Sequence, residues 1–425
     1  MTATSAISLA DVDLTDQDAF QRAVPYDWFR LLRERAPVHW NPERSGRGFW
    51  SVTRYADVVA VSRDTATYSS ERGASALEDL EPDALEARKS MIDMDPPGHT
   101  RLRRKVAPEF TRRGVSHYEQ LVRETVTEVL DAALPKGEFD FVPDVATEVP
   151  IRVLCRILGV PERDERRLVE LGDRMFGNTD PDIADVLLDS PASEQYRLVP
   201  FRSPAALEMH DYARWLARQH LADPGADLMS RLVRSDNSGP ALVGKELDAM
   251  FLLLVVAGNE TTRSALALGL QAFVENPEQW DAVRRGDARG LDSAVEEVLR
   301  FTTPLHHFRR TATRDTVLGG TSITEGDKVV VWFTSANRDE EVYADPDAFD
   351  VTRDPNPHVA FGRGGPHRCI GEHLARLEIR IVLEQLLART ERFEVVGSPR
   401  RVRSNFSNAL TSLPVRVVGA RSAGG

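Results

Sequence analysis

The spacing of hydrophobic and polar residues predicts a chain made mostly of amphipathic helices. Apolar residues recur every three or four positions over 25–37, 116–134 and 372–389, which is the period of a helix with one buried face. Strand-like runs are shorter: VHWN and GFWSVTR near the N-terminus, residues 316–340, and FEVV and LPVRVV near the C-terminus. The pattern therefore predicts a mainly α fold with small β-sheets.

The same pattern indicates one domain. There is no internal repeat, low-complexity block or obvious linker, so we interpret residues 25–418 as a single domain, with an irregular N-terminal arm at 1–24 and a short tail at 419–425. The segment 178–203 mixes Pro, Asp and Ser with scattered apolar residues. It is predicted to be a mobile connection between helices, either a lid or a plain surface loop.

Composition and charge narrow the function classes. The chain has 425 residues and a net charge of −12, which argues against nucleic-acid binding. Two cysteines, Cys155 and Cys369, cannot form a disulfide framework for this length and indicate a reducing compartment. The N-terminus lacks the features of a signal peptide, and the longest apolar run, 250–258, is too short to span a bilayer. We therefore expect a cytoplasmic protein without a membrane span.

Cys369 stands in a glycine-rich loop, FGRGGPHRCIG, directly before a predicted helix. Unpaired N–H groups at the start of a helix stabilise a thiolate, and glycines let the backbone approach a bulky partner. The residues leave several alternatives open: a nucleophilic cysteine, an axial thiolate to haem iron, a zinc site with His367 and His373, or a plain loop with a buried cysteine. Zinc is disfavoured because no second cysteine lies nearby and Cys155 sits in an apolar helix.

Five motifs in one order resemble the cytochrome P450 family. They are residues 93–110, the stretch VVAGNETTRSAL at 255–266, a Glu-x-x-Arg at 297–300, residues 336–350 and the cysteine loop at 361–371. A Glu-x-x-Arg alone has little weight, but the set of five is specific, and the resemblance runs from about residue 25 to residue 418. It implies a cytochrome P450 fold with haem between a long central helix and the helix after the cysteine loop.

The cysteine loop departs from the family pattern at one point. The separation of Phe361 from Cys369 is one residue longer than is usual in the family, and the extra residue lies within 363–366. A bacterial branch that hydroxylates methyl-branched lipid and steroid side chains resembles this chain in its longer loop and in the closing segment 404–417. The departure leaves Cys369 as the implied ligand and alters the surface where an electron donor would dock.

The resemblance also implies roles for individual residues. Cys369 is the implied iron ligand, and Glu260 and Thr261 are the implied acid–alcohol pair that relays protons, with Thr262 as the alternative if the register slips. Glu297 and Arg300 are implied to be structural. The implied haem contacts are His99, Arg103, Ala257, Gly258, Arg310, His358, Phe361, Gly362, His367, Cys369 and Gly371, with Arg309 as the neighbouring alternative to Arg310.

The segment Leu305-His306-His307-Phe308 corresponds to a family strand that lines the substrate pocket. Two histidines are unusual there, because these positions are commonly apolar. One hypothesis is that His306 or His307 hydrogen-bonds a polar group of the substrate. The competing view is that both point away from the pocket and are satisfied elsewhere.

The implied function is that of a haem-thiolate monooxygenase using haem b. It would insert one atom of O2 into a hydrophobic small molecule, with hydroxylation of a terpenoid, steroid or branched lipid expected. Tailoring chemistry in a secondary-metabolism pathway (epoxidation, coupling or desaturation) and non-catalytic haem binding are the alternatives. Because no flavin or iron–sulfur domain is attached, electrons from NAD(P)H are expected through a ferredoxin reductase and a ferredoxin. Basic residues near the cysteine loop are the expected docking surface: Arg103, Arg104, Lys105, Arg363 and Arg368.

Overall fold

A computed structural model describes residues 7–44, 46–75, 77–286 and 288–420. Helices dominate these ranges. They are α1 Gln17–Arg22, α2 Tyr26–Arg35, α3 Tyr55–Arg63, α4 Pro82–Arg88, α5 Gly98–Phe110, α6 Arg112–Ser116, α7 Glu119–Ala133, α8 Glu148–Leu158, α9 Glu165–Phe176, α10 Pro204–Ala222, α11 Leu228–Leu232, α12 Lys245–Glu275, α13 Pro277–Arg285, α14 Ala288–Thr302, α15 Phe333–Ala336 and α16 Glu372–Arg389.

The strands are short and form small sheets. They are β1 Val38–Asn41, β2 Phe49–Val52, β3 Tyr68–Ser69, β4 Glu138–Asp140, β5 His307–Ala312, β6 Thr316–Leu318, β7 Thr321–Ile323, β8 Lys328–Trp332, β9 Thr390–Val395, β10 Arg400–Arg401, β11 Leu410–Ser412 and β12 Pro414–Ala420. The largest sheet has the order β1-β2-β8-β5-β3, and only β2 and β8 in it are parallel. The three-stranded sheet has the order β4-β12-β9. The predicted mainly α fold with small sheets is confirmed.

Helix α12 runs through the centre of the helical core. It is 31 residues long, and most of its side chains are buried. It packs against α8, α9, α10, α14 and α16, so residues on every face of this helix meet another element. A helix surrounded in this way is a rigid frame for a site along its length, because its position is set by several neighbours at once.

The N-terminal arm is not irregular over its described part. Residues 9–11 form a 3₁₀ turn and α1 follows, and Phe20 is buried among aromatic residues of α2 and β8. The Leu14 N–H donates to Asn41 Oδ1 at 3.0 Å, and Asn405 Nδ2 donates to the Leu14 carbonyl at 2.9 Å. The arm therefore packs as part of the domain, while its first six residues lie outside the described ranges.

The predicted C-terminal tail begins too early. Strand β12 pairs with β9 as far as Ala420, so residues 419 and 420 belong to the sheet. The remaining tail residues, 421–425, lie outside the described ranges.

The connection between α9 and α10 contains two 3₁₀ turns, at Pro191–Tyr196 and Pro200–Arg202. It is joined to the α4 region by ion pairs, between Arg197 and Asp83 at 2.5 Å and between Arg202 and Glu78. The segment thus covers α4 in the structure. Its predicted mobility stays a prediction.

Candidate active site

A large cavity lies between α12 and the cysteine loop. Its empty space measures about 1630 Å³, part of which is open to solvent. Apolar side chains form much of its wall, among them Leu154, Leu253, Leu299, Leu305, Phe308 and Phe333. Such a wall favours a flat apolar group and an apolar small molecule, since their burial releases water from hydrophobic surface.

Cys369 faces this cavity from the loop before α16. Its N–H donates to the Phe361 carbonyl at 2.8 Å, which fixes the turn. The side chain is exposed to the cavity but enclosed by protein, and this burial raises the pKa of the Cys369 thiol. The Gly371 N–H and the nearby Arg103 and Arg376 act in the opposite direction. These groups would stabilise a thiolate once a metal replaces the proton.

Two glycines explain why the loop approaches its neighbours so closely. A Cβ on Gly365 would lie 1.9 Å from the Ser62 carbonyl oxygen, so the loop with its extra residue packs directly on the C-terminal end of α3. A Cβ on Gly371 would meet nothing closer than the Cys369 sulfur at 4.0 Å. Gly371 therefore leaves open space beside the thiol, where a flat group fits.

Four basic side chains gather at one end of the cavity. His99, Arg103, Arg310 and His367 all line it, and the rings of His99 and His367 lie 4.4 Å apart. Burial lowers the pKa of Arg310 to about 10 and the pKa of His367 to about 3. His99 Nδ1 and Arg310 Nε are buried without a hydrogen-bond partner. Buried donors of this kind call for an anionic partner, and the two propionates of haem match that need.

His358 does not join this cluster. Its Nε2 lies 2.9 Å from Glu296 Oε2, and its Nδ1 accepts from the Ala360 N–H at 3.2 Å. Both ring nitrogens are therefore engaged away from the cavity, and the structure gives the predicted haem contact no support. Phe361, predicted beside it, does line the cavity together with Gly362.

The central turn of α12 presents small and hydroxyl side chains to the cavity. Ala257, Gly258, Thr261 and Thr262 line it, and a Cβ on Gly258 would lie 3.1 Å from Leu154. Thr261 Oγ1 donates to the Ala257 carbonyl at 2.9 Å, which is a bond that competes with the helical ladder. This turn leaves room for a ligand and places a hydroxyl at the surface of the cavity.

Glu260 lies next to Thr261 but turns away from the cavity. Its carboxylate is buried and bonds Arg263, which also donates to Asp173 Oδ1 of α9 at 2.6 Å. Asn259 Nδ2 donates to Glu260 at 3.2 Å. Burial raises the pKa of Glu260 to about 8, despite the opposing effect of Arg263. Of the predicted acid–alcohol pair, Thr261 therefore lines the cavity, whereas the carboxyl of the adjacent Glu260 lies behind the cavity wall.

Glu297 and Arg300 of α14 form a buried pair. Arg300 Nε and Nη2 donate to the two Glu297 oxygens, each at 2.8 Å. Arg300 also donates to the carbonyls of Asn337, Pro346 and Ala348 at 2.8 Å. These bonds join α14 to the segment that precedes the cysteine loop. Such a contact is what a structural role of Glu297 and Arg300 requires.

The segment 305–308 divides between two faces. Leu305 and Phe308 line the cavity, whereas His306 Nδ1 lies 2.7 Å from Thr334 Oγ1 and the His307 ring contacts Trp332 and Phe406. Successive residues of a strand point to opposite faces, so β5 cannot present both His307 and Phe308 to the cavity. The structure thus gives no support to a substrate contact for either histidine.

Sequence reasoning missed Glu378. It lies on α16 and lines the cavity, with one carboxylate oxygen buried and without a partner. Burial raises the pKa of Glu378 to about 8. The available signal was an acid on the apolar face of α16, four residues after Leu374 and four before Val382.

The zinc alternative is weaker in light of the geometry. In the described ranges, no group of three or more His, Cys, Asp and Glu side chains is arranged to hold a metal ion. Cys155 is buried in α8, and burial raises the pKa of its thiol strongly. A lone thiol facing a flat apolar cavity with a basic end matches the haem interpretation instead.

Comparison with known proteins agrees with this geometry. A family profile described as Cytochrome P450 matches residues 21–415. The chain belongs to the cytochrome P450 family. The predicted resemblance and fold are confirmed, and the protein is a monooxygenase and an oxidoreductase, as its relatives are. No helix in the described ranges combines the length and the apolar content that crossing a membrane requires.

Three relatives illustrate the similarity of this P450. The steroid C26-monooxygenase of Mycolicibacterium smegmatis is 33% identical, with 97% of this chain and 95% of the relative covered. The linalool 8-monooxygenase of Pseudomonas putida is 35% identical, with 96% and 98% covered. A Mycobacterium marinum cytochrome P450 in complex with pseudoionone has a TM-score of 0.86 and 35% identity, with 98% of this chain and 100% of that chain covered.

Proposed function

We propose that this P450 hydroxylates a steroid, terpenoid or branched lipid. The observation that carries the proposal is the apolar wall of the cavity opposite Cys369, formed by residues such as Leu253, Leu299 and Phe308. Two relatives named for oxidation of a steroid and of linalool, and a third that binds pseudoionone, support the same substrate class. An apolar substrate gains affinity when its surface is removed from water, and the shape of the cavity then selects among apolar candidates.

Haem b is the cofactor that these residues fit. Cys369 would hold its iron, and His99, Arg103, Arg310 and His367 would hold its propionates. Gly371 leaves space beside the thiol for a flat group. Bound haem would activate O2, and one of the two oxygen atoms would be transferred to the substrate.

The side chains of α12 would hold and move protons. We propose that Glu260 stores a proton and that Thr261 donates it at the cavity surface, with Thr262 next to it. The burial that raises the pKa of Glu260 keeps the carboxyl protonated near neutral pH, so that a proton is available there. The apolar wall keeps other water away from that hydroxyl.

The electron supply is expected to be a separate ferredoxin, reduced from NAD(P)H by a ferredoxin reductase in the cytoplasm. Arg363 and Arg368 are exposed on the cysteine loop, and Arg104 is exposed on α5. Lys105 does not contribute to this surface, because it is buried on Asp236 and the Arg234 carbonyl. An acidic partner would be steered to the remaining cations.

Binding and product analysis test the substrate class. Purified haem protein is titrated with cholesterol, linalool and pseudoionone, and we expect a shift of the haem spin state with at least one of them. Turnover with a surrogate ferredoxin and reductase should yield a product heavier by one oxygen atom that carries label from ¹⁸O₂. A product lighter by two hydrogens, or two substrates joined, would favour the tailoring alternatives. No spin shift and no product with any of the three would contradict the proposed class.

A further inference from the structure

A chain of polar groups runs from the protein surface to Glu260. The Asp173 side chain on α9 is 35% exposed, Arg263 is 10% exposed and Glu260 is 1% exposed. Arg263 bonds both acids, and the Asp173 carboxylate is also within hydrogen-bonding reach of Glu260. The buried acid is therefore joined to solvent through one neighbouring acid.

The charges at this point favour one shared proton. The charged side chains that act on Glu260 are Arg263 on its own helix and Asp173 on α9, while α8 presents the apolar Leu154 to the adjacent Gly258. One guanidinium cannot neutralise two carboxylates, so the repulsion between them favours the protonated form of the buried acid, Glu260. Asp173 raises the pKa of Glu260 further, which favours the proton on the buried acid.

We propose that Asp173 is the positioning residue through which Glu260 is reprotonated from solvent during the monooxygenase reaction, with Arg263 holding the two acids together. Glu260 first passes its proton toward the Thr261 hydroxyl and becomes a carboxylate. A hydronium ion or buffer acid in solvent then gives a proton to Asp173 at the surface, and Asp173 passes it to Glu260. Each transfer moves one proton and no electrons, and each acid returns to its starting state. This inference rests on the proposed function of the Glu260–Thr261 pair.

Asp173 also occupies the last turn of α9, directly before the connection that leads to α10. Arg174, the next residue, is bound to Asp185 at 2.6 Å and to Glu208 at 3.0 Å. Asp185 is 30% exposed, so it is an acid of similar exposure that pairs with an arginine but does not act on Glu260. It provides a matched control.

The test uses the holoenzyme and two readouts. Infrared difference spectroscopy across pH follows the C=O stretch of the buried carboxyl, identified by its loss in Glu260→Gln. We expect Asp173→Asn to lower the titration midpoint of this band by about one pH unit or more, and Asp185→Asn to leave it unchanged. The second readout is turnover of pseudoionone with surrogate redox partners, in which Asp173→Asn should lower product formation about 10-fold and increase the solvent deuterium isotope effect.

Rescue separates a proton route from a structural contact. Asp173→Glu should restore both readouts, because it restores the carboxyl, while Asp173→Asn keeps the size and loses the proton. The carbon monoxide spectrum of each variant verifies that the site is folded. An unchanged midpoint in Asp173→Asn, or an equal change in Asp185→Asn, would overturn the proposal. If the wild type leaves pseudoionone unchanged while Asp173→Asn still lowers the midpoint, the result would support the acid pair and count against the substrate class.

Discussion

Two buried Glu-x-x-Arg pairs in this P450 have the same spacing and different surroundings. Arg300 binds Glu297 with two bonds and donates to three backbone carbonyls, and both side chains are 0% exposed. Arg263 binds Glu260 on one side and Asp173 on the other, and its Nε has no hydrogen-bond partner. The first pair joins segments of backbone, whereas the second joins two acids.

This difference separates structural from chemical use of one motif. A pair whose hydrogen-bonding groups are all engaged stabilises one geometry. A pair that shares its cation with a second, half-exposed acid holds a carboxyl near its titration range. Neighbouring groups, and not the spacing, therefore decide which role a Glu-x-x-Arg has.

The largest effect is expected from breaking the structural pair. Arg300→Ala removes both bonds to the buried Glu297, which keeps a contact with Arg353 at 3.3 Å, and it leaves three backbone carbonyls without their donor. This loss should cost about 3–5 kcal/mol of stability and impair haem retention. Thermal unfolding and the haem-to-protein ratio measure this. Arg166→Ala, in an exposed i,i+4 pair with Glu170 on α9, is the control and should change stability by less than about 0.5 kcal/mol. Equal effects of the two substitutions would contradict the structural role of Arg300.

Breaking the second pair should affect turnover and leave the fold intact. Glu260→Gln removes the ionisable proton at nearly constant size, so product formation should fall about 100-fold while the carbon monoxide spectrum stays normal. Glu297→Gln is the matched control, and it should lower thermal stability while the turnover of each folded, haem-loaded molecule stays near that of the wild type. If Glu260→Gln lost haem but kept its activity per haem-loaded molecule, Glu260 would have a structural role and the proposed role in proton transfer would be contradicted.

The pH dependence of stability sharpens the comparison. Burial raises the pKa of Glu260 and of Glu378 to about 8, while unfolded glutamates titrate near ~4.3. Between these values the folded protein holds protons that the unfolded chain has released. The contribution of each of these two carboxyls to the free energy of unfolding should therefore fall as the pH rises, by up to ~1.4 kcal/mol per pH unit.

Urea unfolding between about pH 5 and pH 8 measures this slope. Glu260→Gln and Glu378→Gln should each make the slope of the free energy of unfolding against pH less negative, and the double variant should have the largest effect. Slopes that stay unchanged in both Glu260→Gln and Glu378→Gln would show that both carboxyls are ionised in the folded protein.

The smallest effect is expected from a buried neutral side chain. Neither ring nitrogen of His307 has a hydrogen-bond partner, and the ring packs on Trp332 and Phe406 outside the cavity. His307→Phe should change the affinity for a spin-shifting ligand less than about twofold, because no cavity contact is lost. Phe308→Ala is the control that should weaken binding, since Phe308 lines the cavity. A large loss of affinity in His307→Phe would restore the substrate-contact hypothesis.

Regular periodicity made much of the fold predictable. Helix α16 begins and ends where the apolar pattern of residues 372–389 does, and α8 ends before Gly159 as its αL conformation requires. The predicted irregular N-terminal arm instead contains helices, which are too short to give a clear periodicity, with six residues in α1. Their burial comes from distant partners such as Asn41 and Asn405, which no local pattern encodes.

The candidate site was predictable where a motif fixes the local geometry. Cys369, Phe361 and His367 all reach the cavity because they share one tight loop. The direction of Glu260 was not predictable, since it depends on Arg263 and on Asp173, which lies 90 residues before Arg263 in the sequence. His358 was predicted at the haem, but Glu296 of α14 binds it elsewhere, and this too is a long-range contact.

The measurement that tests the account most directly is the absorption spectrum of the reduced protein with and without carbon monoxide. The account predicts a strongly red-shifted Soret band, which marks haem held by a thiolate. Cys369→Ser should abolish the band, and Cys155→Ser should keep it, because Cys155 is buried away from the cavity. A band where histidine-ligated haems absorb, or one that survives Cys369→Ser, would contradict the assignment of Cys369 as the iron ligand.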